Sequence, residues 1–191
     1  MPLRSPYMTR LVRRRLQREE IGLLWTIDRR ELVKRTYEVR EGGLVLRPGF
    51  FDIPGWPTGE PAKAMPLLEA SFDRGGVFLG VFEGPRLVGA AAIDTRRLGP
   101  AADLVQLSFL HVGRDHRRQG LGTELYEAAD AVAATLGAAG LYVSATPSEN
   151  TVDFYRRRGC RVTPDPDPEL LAREPEDIHF ECRRLTGTSP A

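Results

Sequence analysis

The order of apolar and polar residues predicts a chain in which strands and helices are mixed. Residues 7–16 interleave apolar and polar side chains as in a strand, and residues 17–35 place apolar side chains at the spacing of an amphipathic helix. Turn residues separate the later apolar runs. Those runs predict a helix at 64–72, a β-hairpin at 77–83 and 86–94, a strand at 103–112, a helix at 120–136, a strand at 141–145, a helix at 150–158 and a final strand at 178–185. The order β-α-α-β-β-β-α-β-α-β indicates an α/β fold with one mixed sheet and helices on both faces.

Two segments are too rich in proline, glycine or aspartate to form a regular element. The first, residues 47–61, lies in a predicted loop insertion at 42–61 within a single domain that spans 1–185. Its apolar residues allow two interpretations, the wall of an acceptor pocket or a buried satellite cluster; these residues are Phe50, Phe51, Ile53 and Trp56. The second, residues 163–176, is predicted to be a loop, and residues 186–191 a disordered tail.

Composition narrows the class of protein. The 191 residues are 41% hydrophobic and 28% charged with a formal net charge of +1, which is typical of one ordinary globular domain. No apolar run reaches the ~18 residues of a membrane span, and the charge supplies no field to recruit nucleic acid, so we expect neither partner. The arginines of residues 10–15 could contact nucleic acid, but a solvated strand face is the favoured interpretation. Two cysteines without a secretory signal predict a cytoplasmic protein with reduced thiols.

The candidate chemistry is concentrated in residues 107–123, LSFLHVGRDHRRQGLGT, where a strand runs through a turn into a helix. The first N–H groups of a helix have no intrahelical partner, and the helix dipole adds partial positive charge there. Glycines let an anion approach the backbone, so the segment predicts a phosphate cradle. A Walker A loop is excluded because Gly-Lys-Ser/Thr is absent, and Leu125 stands where a dinucleotide fingerprint needs a third glycine.

Two motifs together resemble the GCN5-related N-acetyltransferase (GNAT) superfamily. The first is Arg117-x-x-Gly120-x-Gly122, and the second, in residues 144–160, is a strand end followed by a helix carrying Tyr155-x-x-x-Gly159. The resemblance covers residues 77–159 and implies a mostly antiparallel central sheet and an acetyl-CoA cosubstrate without a metal. This chain departs from the family in three places. Gln106 stands where a general-base Glu is frequent, Arg114 replaces a frequent proline, and Cys160 replaces a frequent aromatic residue.

The resemblance also implies where the cofactor lies. A gap between the strand that ends at Val112 and the strand at 141–145 would admit it. The pantetheine arm would pair with the backbone of the first strand, and the pyrophosphate would lie on the turn, with polar contacts from the second motif. The implied cofactor-binding residues are Leu110, His111, Val112, Arg117, Arg118, Gln119, Gly120, Leu121, Gly122, Thr123, Ser148 and Asn150. For Asn150 a helix N-cap is an equal alternative.

The reaction needs a neutral amine, and at pH 7 only about 1 in 2500 alkyl ammonium groups of pKa near 10.4 is neutral, a cost on the order of 4.6 kcal/mol. A base or a water chain must therefore remove a proton. Gln106 cannot titrate but could orient a water. His111 is a candidate base because the pKa of an imidazole is suitable, but strand alternation puts it on the face opposite to Gln106. Three acidic residues, Glu38, Glu41 and Asp52, could line the amine end, although nothing in the sequence fixes their position.

Tyr155 is the predicted catalytic side chain, because a hydroxyl there can donate a hydrogen bond to the departing thiolate. Its alternative is a packing role. Cys160, His179 and Cys182 do not make a zinc site, since four ligands at recognisable spacing are required. A serine hydrolase is excluded because Gly-x-Ser-x-Gly is absent.

The sequence therefore predicts an N-acetyltransferase that acts on a primary amine of a small molecule. A protein or peptide N-acetyltransferase and a non-catalytic acyl-CoA-binding module remain alternatives, and a homodimer stays open.

Overall fold

The computed structural model describes residues 10–184. The predicted tail at 186–191 and the first residues of the predicted strand at 7–16 lie outside this range. The elements of the described part are β1 (Leu11–Arg15), β2 (Glu31–Arg40), β3 (Gly43–Ile53), α1 (Glu60–Asp73), β4 (Val77–Glu83), β5 (Arg86–Leu98), β6 (Leu104–Val112), α2 (Leu121–Thr135), β7 (Gly140–Ala145), α3 (Glu149–Arg156), β8 (Arg161–Val162), α4 (Pro168–Arg173) and β9 (Ile178–Arg183), with 3₁₀ helices at Arg18–Thr26 and Arg114–His116.

Seven strands form the central sheet in the order β1-β4-β5-β6-β7-β9-β8. Neighbouring strands of this sheet run antiparallel except for β6 and β7, which are parallel. On one face, Leu125 of α2 and Val152 of α3 pack against β5, β6, β7 and β9. On the other face, Ile21 of the 3₁₀ helix and Leu68 of α1 pack against Phe78. The predicted α/β fold, with a mostly antiparallel sheet between helices, is confirmed.

The helix predicted at 17–35 is wrong beyond its first turns. The chain forms a 3₁₀ helix over Arg18–Thr26 and then the strand β2. Asp28 accounts for the break, because its carboxylate accepts the Arg30 backbone N–H at 3.1 Å. Such a local side-chain bond offers the backbone an alternative to the helix. The spacing of Ile21, Leu24 and Trp25 therefore does mark a helical segment, but this segment ends at residue 26.

The loop predicted at 42–61 is also wrong, because most of it is β3, which pairs with β2 as a separate two-stranded hairpin. Glu41 and Gly42 have φ of 50° and 74°, and this pair of left-handed residues makes the tight turn between the strands. Pro48 lies beside a register shift in the pairing, where a residue without an N–H donor is tolerated. Glycine and proline here mark a turn and a bulge.

Cys160 and Cys182 are buried and joined by a disulfide, so the prediction of reduced thiols is wrong. The pairing of Arg161 with Glu181 places the two cysteines opposite each other on neighbouring antiparallel segments. Composition gives the number of cysteines but not which of them lie close together in the fold, so it could not predict this bond. The predicted loop at 163–176 contains one short helix, α4, which Asp167 caps by accepting the Leu170 N–H at 3.0 Å.

Candidate active site

The two parallel strands separate part-way along the sheet. β6 and β7 pair at three positions, the last of which joins Gln106 to Tyr142. Beyond that pair the strands diverge, and a cleft of about 1640 Å³ runs along the gap. The β6 backbone after Gln106 therefore has no strand on its β7 side. An extended ligand can pair with such an edge as an added strand.

A β-bulge at Ser108 changes which residues of β6 share a face. Leu107 pairs with Ile93 and Phe109 with Ala92, so Ser108 is the extra residue. As a result Leu107 packs with α2, whereas Phe109, two residues later, packs with the 3₁₀ helix and α1. His111 contacts Phe109 with ring centroids 4.8 Å apart. The alternation argument that put His111 opposite to Gln106 was therefore wrong, and both lie on the α1 face.

The turn between β6 and α2 exposes backbone donors. Gly120 has φ of 87° and precedes the first residue of α2, and the first backbone bond of the helix runs from the Glu124 N–H to the Gly120 carbonyl. Within residues 10–184 the N–H groups of residues 121–123 have no backbone acceptor. A Cβ on Gly122 would lie 3.3 Å from the Phe154 ring, so glycine permits this close approach without displacing the ring. Arg118 is exposed beside these amides, and the turn can bind a pyrophosphate.

Arg117 lines the cleft, and its side chain is bonded to carbonyl groups of the chain. Its guanidinium donates to the carbonyls of Val112, Arg29 and Arg30 at 3.0 to 3.2 Å, and its backbone N–H donates to Arg114. These bonds hold residues 29 and 30, which follow the 3₁₀ helix at Arg18–Thr26, against the turn between β6 and α2. Among residues 10–184 Arg117 thus already has partners for its donors, and Arg118 is the arginine of the motif that faces the cleft unbonded.

Tyr155 has a buried ring and lines the cleft. Its ring packs against Phe180, with centroids 5.9 Å apart, on the face that α2 and α3 cover. Burial raises the pKa of Tyr155 well above its usual value, so the hydroxyl stays protonated. The Tyr155 hydroxyl has no protein hydrogen bond within the described residues, and it is not one of their fully enclosed polar atoms. It is therefore a free donor open to the cleft.

Ser148 and Asn150 stand at the start of α3. Ser148 is buried and is the N-cap, since its Oγ accepts the Thr151 N–H at 3.4 Å. Asn150 is therefore not the N-cap, and its amide donates to Glu31 at 3.2 Å. Both line the cleft, as do all the predicted site residues except two. The exceptions are Leu121, which is buried in the core, and Gln119, whose amide donates to the Asp115 carbonyl at 2.9 Å.

A comparison of the sequence with protein families identifies the family of this chain. The sequence pattern of the "Acetyltransferase (GNAT) family" matches residues 46–160, more than half of the chain. The chain belongs to the GNAT acetyltransferase family. No curated protein matches the sequence.

Solved structures share the fold of this acetyltransferase at low identity. Nourseothricin acetyltransferase is 15% identical with a TM-score of 0.64, covering 89% of this chain and 95% of its own. A Bacillus anthracis protein proposed to be a streptothricin acetyltransferase, solved with acetyl coenzyme A, is 11% identical with a TM-score of 0.60 and coverages of 91% and 96%. The PaiA N-acetyltransferase of Thermoplasma acidophilum, solved with coenzyme A, is 14% identical with a TM-score of 0.58 and coverages of 92% and 99%. These structures thus support the fold, and membership of the family makes this chain an acyltransferase.

No helix of the described part is long and apolar enough to cross a membrane. Nor do residues 10–184 contain three or more His, Cys, Asp or Glu side chains grouped to hold a metal ion.

The acetyltransferase has two unusual titratable groups on the α1 side of its cleft. Burial, together with the cations Arg29 and Arg117, lowers the pKa of His111 to about 3. His111 is thus a neutral imidazole at pH 7 and too weak a base to deprotonate an ammonium. Asp177 behaves in the opposite way, because burial and the neighbouring Glu174 raise the pKa of its carboxyl to about 7.

Sequence analysis missed Asp177. It follows a predicted loop and precedes the last strand, and nothing in the local sequence marks it. Of the three acidic candidates, Asp52 lines the cleft, Glu38 forms an exposed ion pair with Arg40, and Glu41 lies in the β2–β3 turn. Asp177 comes to the cleft because β9 pairs with β7, and the local sequence does not predict this pairing.

Proposed function

We propose that this acetyltransferase transfers an acetyl group to a primary amine of a small molecule, by direct attack of the amine on the thioester. The observation that carries the proposal is the gap between β6 and β7, which joins the two faces of the sheet. Tyr155 borders the gap on the α2–α3 face, and Gln106 borders it on the α1 face. An acyl donor and an amine can therefore meet there from opposite sides.

The residues of the chain have separate tasks in this reaction. Acetyl-CoA supplies the activated acetyl thioester. The free amides of residues 121–123 and the exposed Arg118 bind its pyrophosphate, and the unpaired edge of β6 at Leu110 and Val112 aligns its arm. Tyr155 donates a hydrogen bond to the sulfur as negative charge develops there, and a donor placed in this way stabilises the transition state more than the ground state.

The wall of the acceptor half favours a small molecule over a peptide. The β2–β3 hairpin is attached to α3, because the Tyr37 N–H donates to the Pro147 carbonyl at 2.8 Å and the Tyr37 hydroxyl donates to Asp153 at 3.0 Å. Leu32 and Phe51 of this hairpin line the cleft. The attached hairpin thus forms one wall of the cleft, which supports an enclosed acceptor pocket over an open peptide groove. Two structural neighbours bear the names nourseothricin acetyltransferase and streptothricin acetyltransferase, the second as a proposed function, and both names support acetyl transfer by this fold.

A screen tests the proposal. Purified protein is incubated with acetyl-CoA and a panel of small-molecule amines, amino acids and short peptides, and release of the CoA thiol is followed. We expect turnover with one or more small-molecule amines. Turnover with peptides alone would favour a peptide N-acetyltransferase, and acetyl-CoA binding without any turnover would favour a non-catalytic module. A cytoplasmic location and a homodimer stay predictions.

A further inference from the structure

The α1 side of the cleft carries a carboxylate next to the point where the strands separate. Val105 and Leu107 face α2, so Gln106 between them faces α1, and by the same alternation Ser144 faces this side because Val143 faces α2. Gln106 pairs with Tyr142, and Ser144 lies two residues, about 6.6 Å, further along β7. The Ser144 hydroxyl donates to the Asp177 carboxylate at 3.1 Å. Asp177 is thus held beside the gap.

The surroundings of Asp177 make it a better proton acceptor than an ordinary aspartate. Burial is the largest cause of its raised pKa, and the charge of Glu174 acts in the same direction. The hydrogen bond from Ser144 and the positive charge of Arg29 oppose the shift. The charge of Asp177 is also a minor cause of the raised pKa of Tyr155. Both residues line the same cleft.

A second polar atom on the same side lacks a partner. The Ser71 Oγ of α1 is enclosed and has no hydrogen bond within the described residues, although Ser71 lines the cleft. Buried hydroxyls are nearly always hydrogen-bonded, so this enclosed atom is an exception in the wall of the cleft. Leu67 and Leu170 supply apolar surface on this side of the cleft. The α1 side thus offers a carboxylate and apolar walls.

We propose that Asp177 is the general base that takes the proton from the ammonium form of the acceptor, with Ser144 holding its carboxylate in place and Glu174 beside it. This inference rests on the proposed transfer to an amine. Gln106 cannot accept a proton, and the lowered pKa of His111 makes it too weak a base, so neither can serve as the base, whereas Asp177 can.

The step balances as follows. The Asp177 carboxylate accepts one proton from R–NH₃⁺, which leaves R–NH₂. The amine nitrogen attacks the acetyl carbonyl carbon, a C–N bond forms, and the C–S bond breaks with its electron pair on sulfur. The second nitrogen proton neutralises the sulfur, where Tyr155 donates its hydrogen bond. Asp177 then releases its proton to the solvent through the open side of the cleft, so that one amide, one thiol and one proton result.

The test is the pH profile of kcat/KM for an accepted amine. In the wild type, kcat/KM rises tenfold per pH unit below the pKa of Asp177 and levels off above about 7. In Asp177→Asn the reaction depends on amine that is already neutral, so kcat/KM keeps rising towards the amine pKa near 10.4. At pH 7 the variant is expected to lose roughly 10²-fold or more, and the difference shrinks as the pH rises. The matched control is Asp165→Asn, which removes an exposed carboxylate of the segment between β8 and α4, outside the cleft.

Two further variants move the pKa of Asp177 without removing it. Glu174→Gln takes away the neighbouring charge that raises this pKa, so the rise in kcat/KM should shift to lower pH. Ser144→Ala takes away the hydrogen bond that lowers it, so the rise should shift to higher pH. A merely structural role for Asp177 would not give two shifts of opposite sign.

The outcomes separate this inference from the proposed function. If the wild type acetylates an amine and Asp177→Asn keeps the wild-type profile, Asp177 is not the base, and the proposed function stands. If the wild type acetylates no amine while it binds acetyl-CoA, both are overturned. Titration of the Asp177 carboxyl by NMR in the CoA-bound protein adds a measurement that needs no turnover. A pKa near 4 for this carboxyl would also overturn the inference.

Discussion

Replacing Tyr155 with phenylalanine removes one hydroxyl and keeps the ring. The ring packs against Phe154 and Phe180, with centroids 5.2 and 5.9 Å away, and phenylalanine preserves both contacts. The hydroxyl has no hydrogen-bond partner among residues 10–184, so its loss leaves no buried group unpaired there. The free energy of unfolding should therefore change by less than about 0.5 kcal/mol.

The effect on catalysis should be much larger. A thiol like that of cysteine has a pKa of about 8.5, and burial raises the pKa of Tyr155 above its usual value of about 10. Full proton transfer to the sulfur is thus unfavourable, and the hydroxyl acts as a hydrogen-bond donor. Loss of one such donor costs roughly 10²–10³-fold in kcat in oxyanion sites, and a thiolate should be at or below this range because it is a softer acceptor. The KM for acetyl-CoA should change little.

Steady-state release of CoA from pH 6 to 10 measures this effect. Tyr126→Phe is the matched control, because its ring lies 6.3 Å from that of Tyr155 while its hydroxyl faces the Cys160 sulfur at 3.6 Å. We expect wild-type kcat in the control and a uniform loss across this pH range in Tyr155→Phe. Wild-type kcat in Tyr155→Phe would refute the reasoning and leave the tyrosine a packing role.

Three further predictions concern stability. Trp56→Ala should lower the free energy of unfolding by about 3 kcal/mol in chemical denaturation, because Trp56 stacks on Phe109 with centroids 5.7 Å apart and donates to the Ile27 carbonyl; an unchanged midpoint would show that the residue only lines the cleft. Cys160→Ser with Cys182→Ser should cost about 3 kcal/mol, since the disulfide closes a loop of 22 residues, and reduction of the wild type should lower its Tm similarly. Asp177 has a folded-state pKa above its unfolded value, so its contribution to stability is present below about pH 4 and is lost as the pH rises to about 7. Asp177→Asn should therefore raise stability at pH 8 by about 1 kcal/mol or more and change it little at pH 4, and equal effects at both pH values would contradict this linkage.

The parts of the fold and site that the sequence predicted depend on local signals. The hairpin of β4 and β5 is set by its Gly84-Pro85 turn, and the start of α2 by Gly120, whose φ of 87° suits glycine. The turn before α2, which we propose binds the pyrophosphate, was predicted for the same reason, because free amides at a helix start follow from residues that are neighbours in the chain. The placement of Tyr155 beside the cleft followed from the resemblance to the family.

The parts that the sequence did not predict depend on tertiary contacts. The side chain of Arg117 donates to the carbonyls of residues 29 and 30, far away in the chain, and the motif alone could not predict these bonds. The bulge at Ser108 reverses the facing of His111, and a bulge leaves no mark in a pattern of alternation. Asp177 acquires its raised pKa from burial next to β7 and from the charge of Glu174. Each of these features arises only in the assembled sheet.

The most direct test of amine acetylation is to follow an isotopic label from the acetyl group of acetyl-CoA, in single-turnover and steady-state reactions with an amine from the screen. The account predicts that the label appears in the amide product, in a one-to-one ratio with released CoA, and never on the protein. Label that remains on the protein would contradict direct attack, and label released only as free acetate would contradict acetyl transfer to an amine.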